Sequence, residues 1–267
     1  MSAQRVLVGF LVAGVCLGAI AVPWLFFALL LILGLASLYE LNHLCEAKGT
    51  PLEYPVAMVA VAAYIVLASL DRLHKWEGVL LAATTVSTFV IGMYGERLGY
   101  FARTAYTLLA TLYIGKLLTY FVFIRLIPTT GMLWTFFAAI AIALTDITGM
   151  LVGTMIGRTQ LTRISPKKTL EGSLGALLIV SFLSTIVTMW PLLHLVWWQG
   201  LVLGATTCVA AQAGDLTESA LKRDAGVKDA GSAISGHGGV LDRFDSYLFG
   251  GTVFFAMLHV IGAVSIQ

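Results

Sequence analysis

Carboxylates and cations gather in three short stretches of an otherwise apolar chain. The first reads AQAGDLTESALKRDAG. It sets Asp215, Glu218, Ser219 and Lys222 at i, i+3, i+4 and i+7, so on a helix two acids, a hydroxyl and an ammonium share one face. The second, VKDAGSAISGHGGVLDRFDS, holds His237 between Gly236 and the pair Gly238 and Gly239, where the backbone can bend and come close to a ligand. Asp242 and Asp245 then bracket Arg243. The third, GRTQLTRISPKKTLEG, is basic and carries Ser165, Lys167, Lys168 and Thr169. Together these residues suit phosphate chemistry. Asp215, Asp242 and Asp245 offer hard oxygens to Mg²⁺, which takes few carboxylates and leaves room for phosphate oxygens. Lys222, Arg223, Lys228 and Arg243 carry the charge to hold phosphates. A purely structural reading uses some of the same residues: a Glu218–Lys222 ion pair at a snorkelling helix end, HGG as a turn, and DRFD as a helix start.

Other chemistries find little support. There is no GxxxxGK[ST] loop, so any nucleotide is held by loops and helix ends, and neither GxSxG nor HExxH is present. The three cysteines, Cys16, Cys45 and Cys208, have no metal-ligand spacing and suggest no disulfide framework.

The elements that position these residues are membrane helices. Of 267 residues, 59% are hydrophobic and 11% charged, with mean hydropathy +0.92, too little polar surface to cover a soluble globule. Nine segments are long and apolar enough to be candidate spans: 5–22, 24–41, 55–70, 78–94, 104–125, 131–156, 173–190, 199–223 and 247–264. The expected fold is all-α, a polytopic integral membrane protein with a polar cavity facing the cytoplasm. It is read as a single membrane domain, 1–267. In it 1–130 holds spans of low motif content, 131–246 is the catalytic region with loops 157–172 and 224–246, and 247–264 is the last span. The run from Val6 to Val22 after Arg5, with Ala19, Ile20 and Ala21, also has the form of a cleavable signal peptide, although a second apolar run follows almost at once.

Lys and Arg bias sets the orientation. With nine spans, Arg5, Lys48, Arg97, Arg103, Arg158, Arg163, Lys167, Lys168, Lys222, Arg223, Lys228 and Arg243 fall on one side, twelve of the sixteen basic residues. That side is expected to be the cytoplasm, with the N-terminus inside and the C-terminus outside. Two ionisable residues lie within spans, where charge is costly and lines a cavity or finds a partner. Asp146, in ALTDITG, is about 11 residues from the cytoplasmic end of its segment, roughly 16 Å deep at 1.5 Å per residue. Lys116 lies at a similar depth. The two are read either as an ion pair or with Asp146 lining a polar pocket.

At these residues the sequence resembles a known family. Ser219, Lys222 and Arg223, then Lys228, Asp229 and Gly231, then His237, Gly238, Gly239, Asp242, Arg243 and Asp245 resemble, in type and spacing, the signature of phosphatidate cytidylyltransferases, also called CDP-diacylglycerol synthases. GDLTES (214–219) and ISPKKTLEG (164–172) are similar to that family's pattern too, so the resemblance runs from about 145 to 246. The earlier spans match in hydropathy alone. One departure is at 146–150, DITGM, where the family pattern is nearer DTGAY; it puts in doubt an aromatic role there but not the acid.

The resemblance implies that CTP and phosphatidic acid react to give CDP-diacylglycerol and pyrophosphate with Mg²⁺. It implies Asp215 and Asp242 as principal metal ligands, Asp245 and Asp146 as further acids, and Lys222 among the catalytic residues. Ser165, Lys167, Lys168, Thr169, Ser219, Arg223, Lys228, His237, Gly238, Gly239 and Arg243 would then contact substrate. The setting is a bacterial cytoplasmic (inner) membrane, membrane lipid is the surrounding partner, and a homodimer is left open. Nucleic acid is not expected. Two other readings are a CTP-dependent lipid kinase that transfers the γ-phosphoryl group, and an ion-coupled transporter using Lys116, Asp146 and Asp215.

Overall fold

The computed structural model describes residues 14–95, 99–190, 193, 195–227 and 239–264. Residues 14–21 are helical, and the helices that follow are α1 (Pro23–Ala47), α2 (Tyr54–Ser69), α3 (Leu73–Gly92) and α4 (Tyr100–Ala110). A π-helical turn (Thr111–Lys116) leads without a break into α5 (Leu117–Leu126). Then come α6 (Gly131–Ile156), α7 (Leu170–Thr188), α8 (Trp197–Asp224) and α9 (Leu241–Val260). Among the described residues there is no strand, only an isolated bridge between Gln160 and Thr169. The architecture is all-α, as expected.

Helices fit because lipid offers the backbone no partners, so each polar group must be satisfied within its own segment. Proline opens α1 at Pro23 and lies in the first turn of α2 at Pro55, where its missing N–H costs nothing. Hydroxyls inside the helices donate back to the carbonyl four residues earlier, as Thr107 does to Arg103, Thr145 to Ala141 and Ser181 to Leu177. Among the described residues four segments are long and apolar enough to cross a membrane: α1, the continuous stretch Tyr100–Leu126, α6 and α7. The helix α2 is apolar but shorter. On α7, Leu174, Leu178, Phe182 and Ile186 form an exposed stripe at four-residue spacing, a face that suits lipid rather than water.

The described helices lie within a few residues of the expected segments, and α6 reproduces 131–156 at both ends. The helix α1 continues past residue 41 to Ala47, α3 starts at Leu73 rather than 78, and α9 starts at Leu241 rather than 247, so the end of the expected loop 224–246 is helical. Most of segment 5–22 lies outside the described residues.

The chain divides into two units. One comprises Met1–Phe123 with Leu221–Arg243, and the other Ile124–Ala220 with Phe244–Gln267. In the first unit, α2 packs against α1, α3 and the π-helical turn. Lys116, at the end of that turn, pairs with Glu77 of α3 at 2.5 Å and faces the rings of Tyr120 and Phe123. Glu77 thus supplies Lys116 with a carboxylate that neither reading of this lysine from the sequence pairs with it. In the second unit, α6 packs on α7, and Trp134, Phe137 and Phe254 form an edge-on aromatic cluster joining α6 to α9.

Candidate active site

In the second unit, helix crossings at glycine bring the acids together. A side chain on Gly214 would strike the backbone of α9, its Cβ 2.6 Å from the Asp245 carbonyl oxygen and 3.2 Å from Ser246 Cα. Bare glycine lets α8 and α9 touch backbone to backbone, which sets Asp215 beside Asp245 and Ser246. The crossing of α6 and α7 is equally close, since a Cβ on Gly172 would lie 2.5 Å from the Gly149 carbonyl oxygen and 3.0 Å from Gly153 Cα. This holds α6 against the start of α7 about one turn beyond Asp146.

Asp146, Asp215 and Asp245 consequently lie within electrostatic reach of one another, with Lys168 among them. Lys168 forms an ion pair with Asp215 in which each side chain retains about a quarter of its exposure. Ser246 makes a long 3.5 Å contact from its hydroxyl to Asp146 and donates its backbone N–H to Asp245 at 2.7 Å. Ser219 reaches Asp215 at 3.5 Å.

The basic loop that delivers Lys168 is a tight hairpin. The Leu161 N–H donates to the Lys168 carbonyl at 2.8 Å, and the Leu170 N–H to the Thr159 carbonyl at 2.9 Å. Glu171 closes it by accepting from the N–H groups of Arg158 and Thr159 at 3.1 Å. Thr169 caps α7, its hydroxyl accepting from the Gly172 N–H at 3.1 Å. Lys167 and Lys168, adjacent in sequence, therefore differ: Lys168 folds in to Asp215, whereas Lys167 is exposed and Ser165 half-buried.

The first unit holds the remaining motif residues. The helix α8 runs unbroken through Asp224, so Asp215, Glu218, Ser219 and Lys222 keep the common face that their spacing predicts. Lys222 donates to Asp242 Oδ1 at 2.6 Å, and the Gly239 N–H donates to Asp242 Oδ2 at 2.8 Å. Arg223 donates to the Val227 carbonyl at 3.2 Å, and Arg243 is exposed in the first turn of α9. Lys48 pairs with Asp224, whose carboxylate holds the ammonium pKa above its ordinary value. Lys228, His237 and Gly238 lie outside the described residues.

Sequence reading missed Glu40. This acid on α1 is 2% exposed and accepts two N–H groups at the start of α9, from Val240 at 2.8 Å and Leu241 at 2.7 Å. Only a weak signal was present, an acid at the very end of an apolar segment, where it can sit at the interface.

The donor set of the second unit suits a hard divalent cation. Among its described residues three acids meet one ammonium, an oxygen-rich set in which a cation would favour the ionised carboxylates. Among the described residues no three His, Cys, Asp or Glu side chains are grouped at metal-ligand spacing. Mg²⁺ does not need such a group, because it binds through one or two carboxylates plus water and substrate phosphate. In the first unit, both Asp242 oxygens already accept hydrogen bonds.

The model of the cytidylyltransferase family matches residues 3–261. The chain belongs to the cytidylyltransferase family. Three relatives match the chain over 45% to 92% of its length. A phosphatidate cytidylyltransferase of Bacillus subtilis is 34% identical over 253 residues, covering 92% of this chain and 93% of its own. One from Staphylococcus epidermidis is 32% identical over 222 residues, covering 82% and 84%. One from Synechocystis is 48% identical over 125 residues, 45% of this chain and 41% of its own.

Proposed function

We propose that the chain is a phosphatidate cytidylyltransferase. In the reaction an oxygen of the phosphatidic acid phosphate bonds to the α-phosphorus of CTP. The bond between the α- and β-phosphates breaks, and CDP-diacylglycerol and pyrophosphate are formed. The reading is carried by Asp146, Asp215, Asp245 and Lys168 lying together in a chain that the cytidylyltransferase family model matches almost throughout.

The chemistry asks little of a general base. A phosphate monoester has a second pKa of about 6, so the attacking oxygen is already largely ionised at neutral pH. What remains is to bring two anions together in line and to offset charge at the reacting phosphate. Lys168 is held on the Asp215 carboxylate and can turn to a phosphate oxygen without moving its hairpin. Lys222 is held in the same way by Asp242. Mg²⁺, for which Asp215 with Asp146 or Asp245 is the best-suited set and Asp242 the further candidate, supplies Lewis-acid charge neutralisation when bound.

The finer topology belongs to the same proposal. Nine spans, with the N-terminus and basic loops in the cytoplasm of a bacterial inner membrane, bring CTP to the charged loops while the lipid stays in its leaflet. The protein acts alone or as a homodimer.

A purified-protein assay with α-labelled CTP, phosphatidic acid and Mg²⁺ tests the function. CDP-lipid with one pyrophosphate per turnover is expected. CDP with a newly phosphorylated lipid would overturn it in favour of γ-phosphoryl transfer.

A further inference from the structure

We propose that Glu40 is a positioning residue that holds Asp242 in its working geometry, an inference that rests on the cytidylyltransferase reading of the site. The observation is a clasp within the first unit. Glu40 Oε1 accepts from the Val240 N–H and Oε2 from the Leu241 N–H, at 2.8 and 2.7 Å. These are the residue before α9 and its first residue, whose N–H groups have no partner within the helix. The carboxylate is 2% exposed in an apolar helix, a setting that needs strong partners, and the positive end of α9 supplies them.

The clasp bears directly on Asp242, the next residue. Asp242 accepts from Lys222 with one oxygen and from Gly239 with the other, so the turn at 239–241 sets where its carboxylate lies. The last glycine of the HGG motif has its explanation here. A Cβ on Gly239 would sit 2.8 Å from Glu40 Cδ, driving the side chain into the carboxylate. Gly239 leaves the space that Glu40 fills. Each oxygen of Glu40 takes one N–H, a demand that an amide cannot meet, because one of its two groups is itself a donor.

The test uses full-length protein in lipid nanodiscs, as wild type, Glu40→Gln and Gly239→Ala. Hydrogen exchange at the Val240 and Leu241 amides reads the clasp without substrate, and CDP-lipid formation reads its consequence. Both variants are expected to exchange faster at these amides. Both should lose about 10- to 100-fold in kcat per folded molecule, with KM for CTP changing much less, as for a misplaced catalytic group. Wild-type exchange and kcat in the two variants would overturn the inference. So would a lower melting midpoint and a smaller folded fraction with kcat per folded molecule unchanged, the signature of a merely structural acid. The wild-type rate tests the functional reading separately, since Glu40 is judged on variant-to-wild-type ratios and on exchange.

Discussion

Lys167 and Lys168 offer a sharp test because the sequence presents them as equals and the fold does not. Replacing Lys168 with Ala removes the ammonium paired with Asp215 and leaves that carboxylate facing the acids Asp146 and Asp245 without its cation. A hydrogen bond to a charged partner contributes about 1.5–3 kcal/mol. The side chains keep 28% and 25% of their exposure, so solvent screening favours the lower part of that range, about 1.5–2 kcal/mol. At about 1.4 kcal/mol per factor of ten, kcat/KM should fall about 10- to 30-fold. Lys167→Ala removes an exposed ammonium and should cost less than about threefold. Initial rates of CDP-lipid formation over a grid of CTP and phosphatidic acid concentrations give both values, with a thermal melt to separate folding from function. Equal losses in the two variants, or a larger loss for Lys167→Ala, would refute the assignment of Lys168.

Three more outcomes follow from the same geometry. Asp215→Asn is expected to abolish turnover while the protein still inserts and folds, measured by CDP-lipid formation and by size-exclusion profile; wild-type rates at saturating Mg²⁺ would remove Asp215 from the site. Gly214→Val should push α8 off α9 and destabilise the protein by about 1–3 kcal/mol, read as a lower melting midpoint in detergent, because the added Cβ would meet the Asp245 backbone. Lys116→Met should lower the melting midpoint by leaving Glu77 without its ammonium, and adding Glu77→Met should recover most of the loss, since it removes the unpaired carboxylate from a half-buried site.

The apolar helices were legible because lipid imposes a length and a hydropathy on a spanning segment, and α6 shows this with both ends where they were expected. The common face of Asp215, Glu218, Ser219 and Lys222 was legible for a similar reason, as helical spacing is a local property. Pairings across the chain were not. Nothing in the order of residues says that Lys116 belongs to Glu77, or that of two adjacent lysines only Lys168 turns inward; a hairpin closed by Glu171 decides the second. Glu40 escaped notice because it falls at the end of segment 24–41, where an acid passes for an interfacial residue. Its role depends on backbone N–H groups, which carry no sequence signature.

The clasp at Glu40 also has a history within each molecule's synthesis. Its partners lie 200 and 201 residues further along the chain. At about 5–20 residues per second, a ribosome needs roughly 10–40 s to supply them. Through that interval α1 carries an acid whose final partners do not yet exist, so Glu40 must stay hydrated or temporarily paired. The closing of the clasp then marks the arrival of α9, and a chain that stalls before residue 240 keeps this acid without either N–H partner.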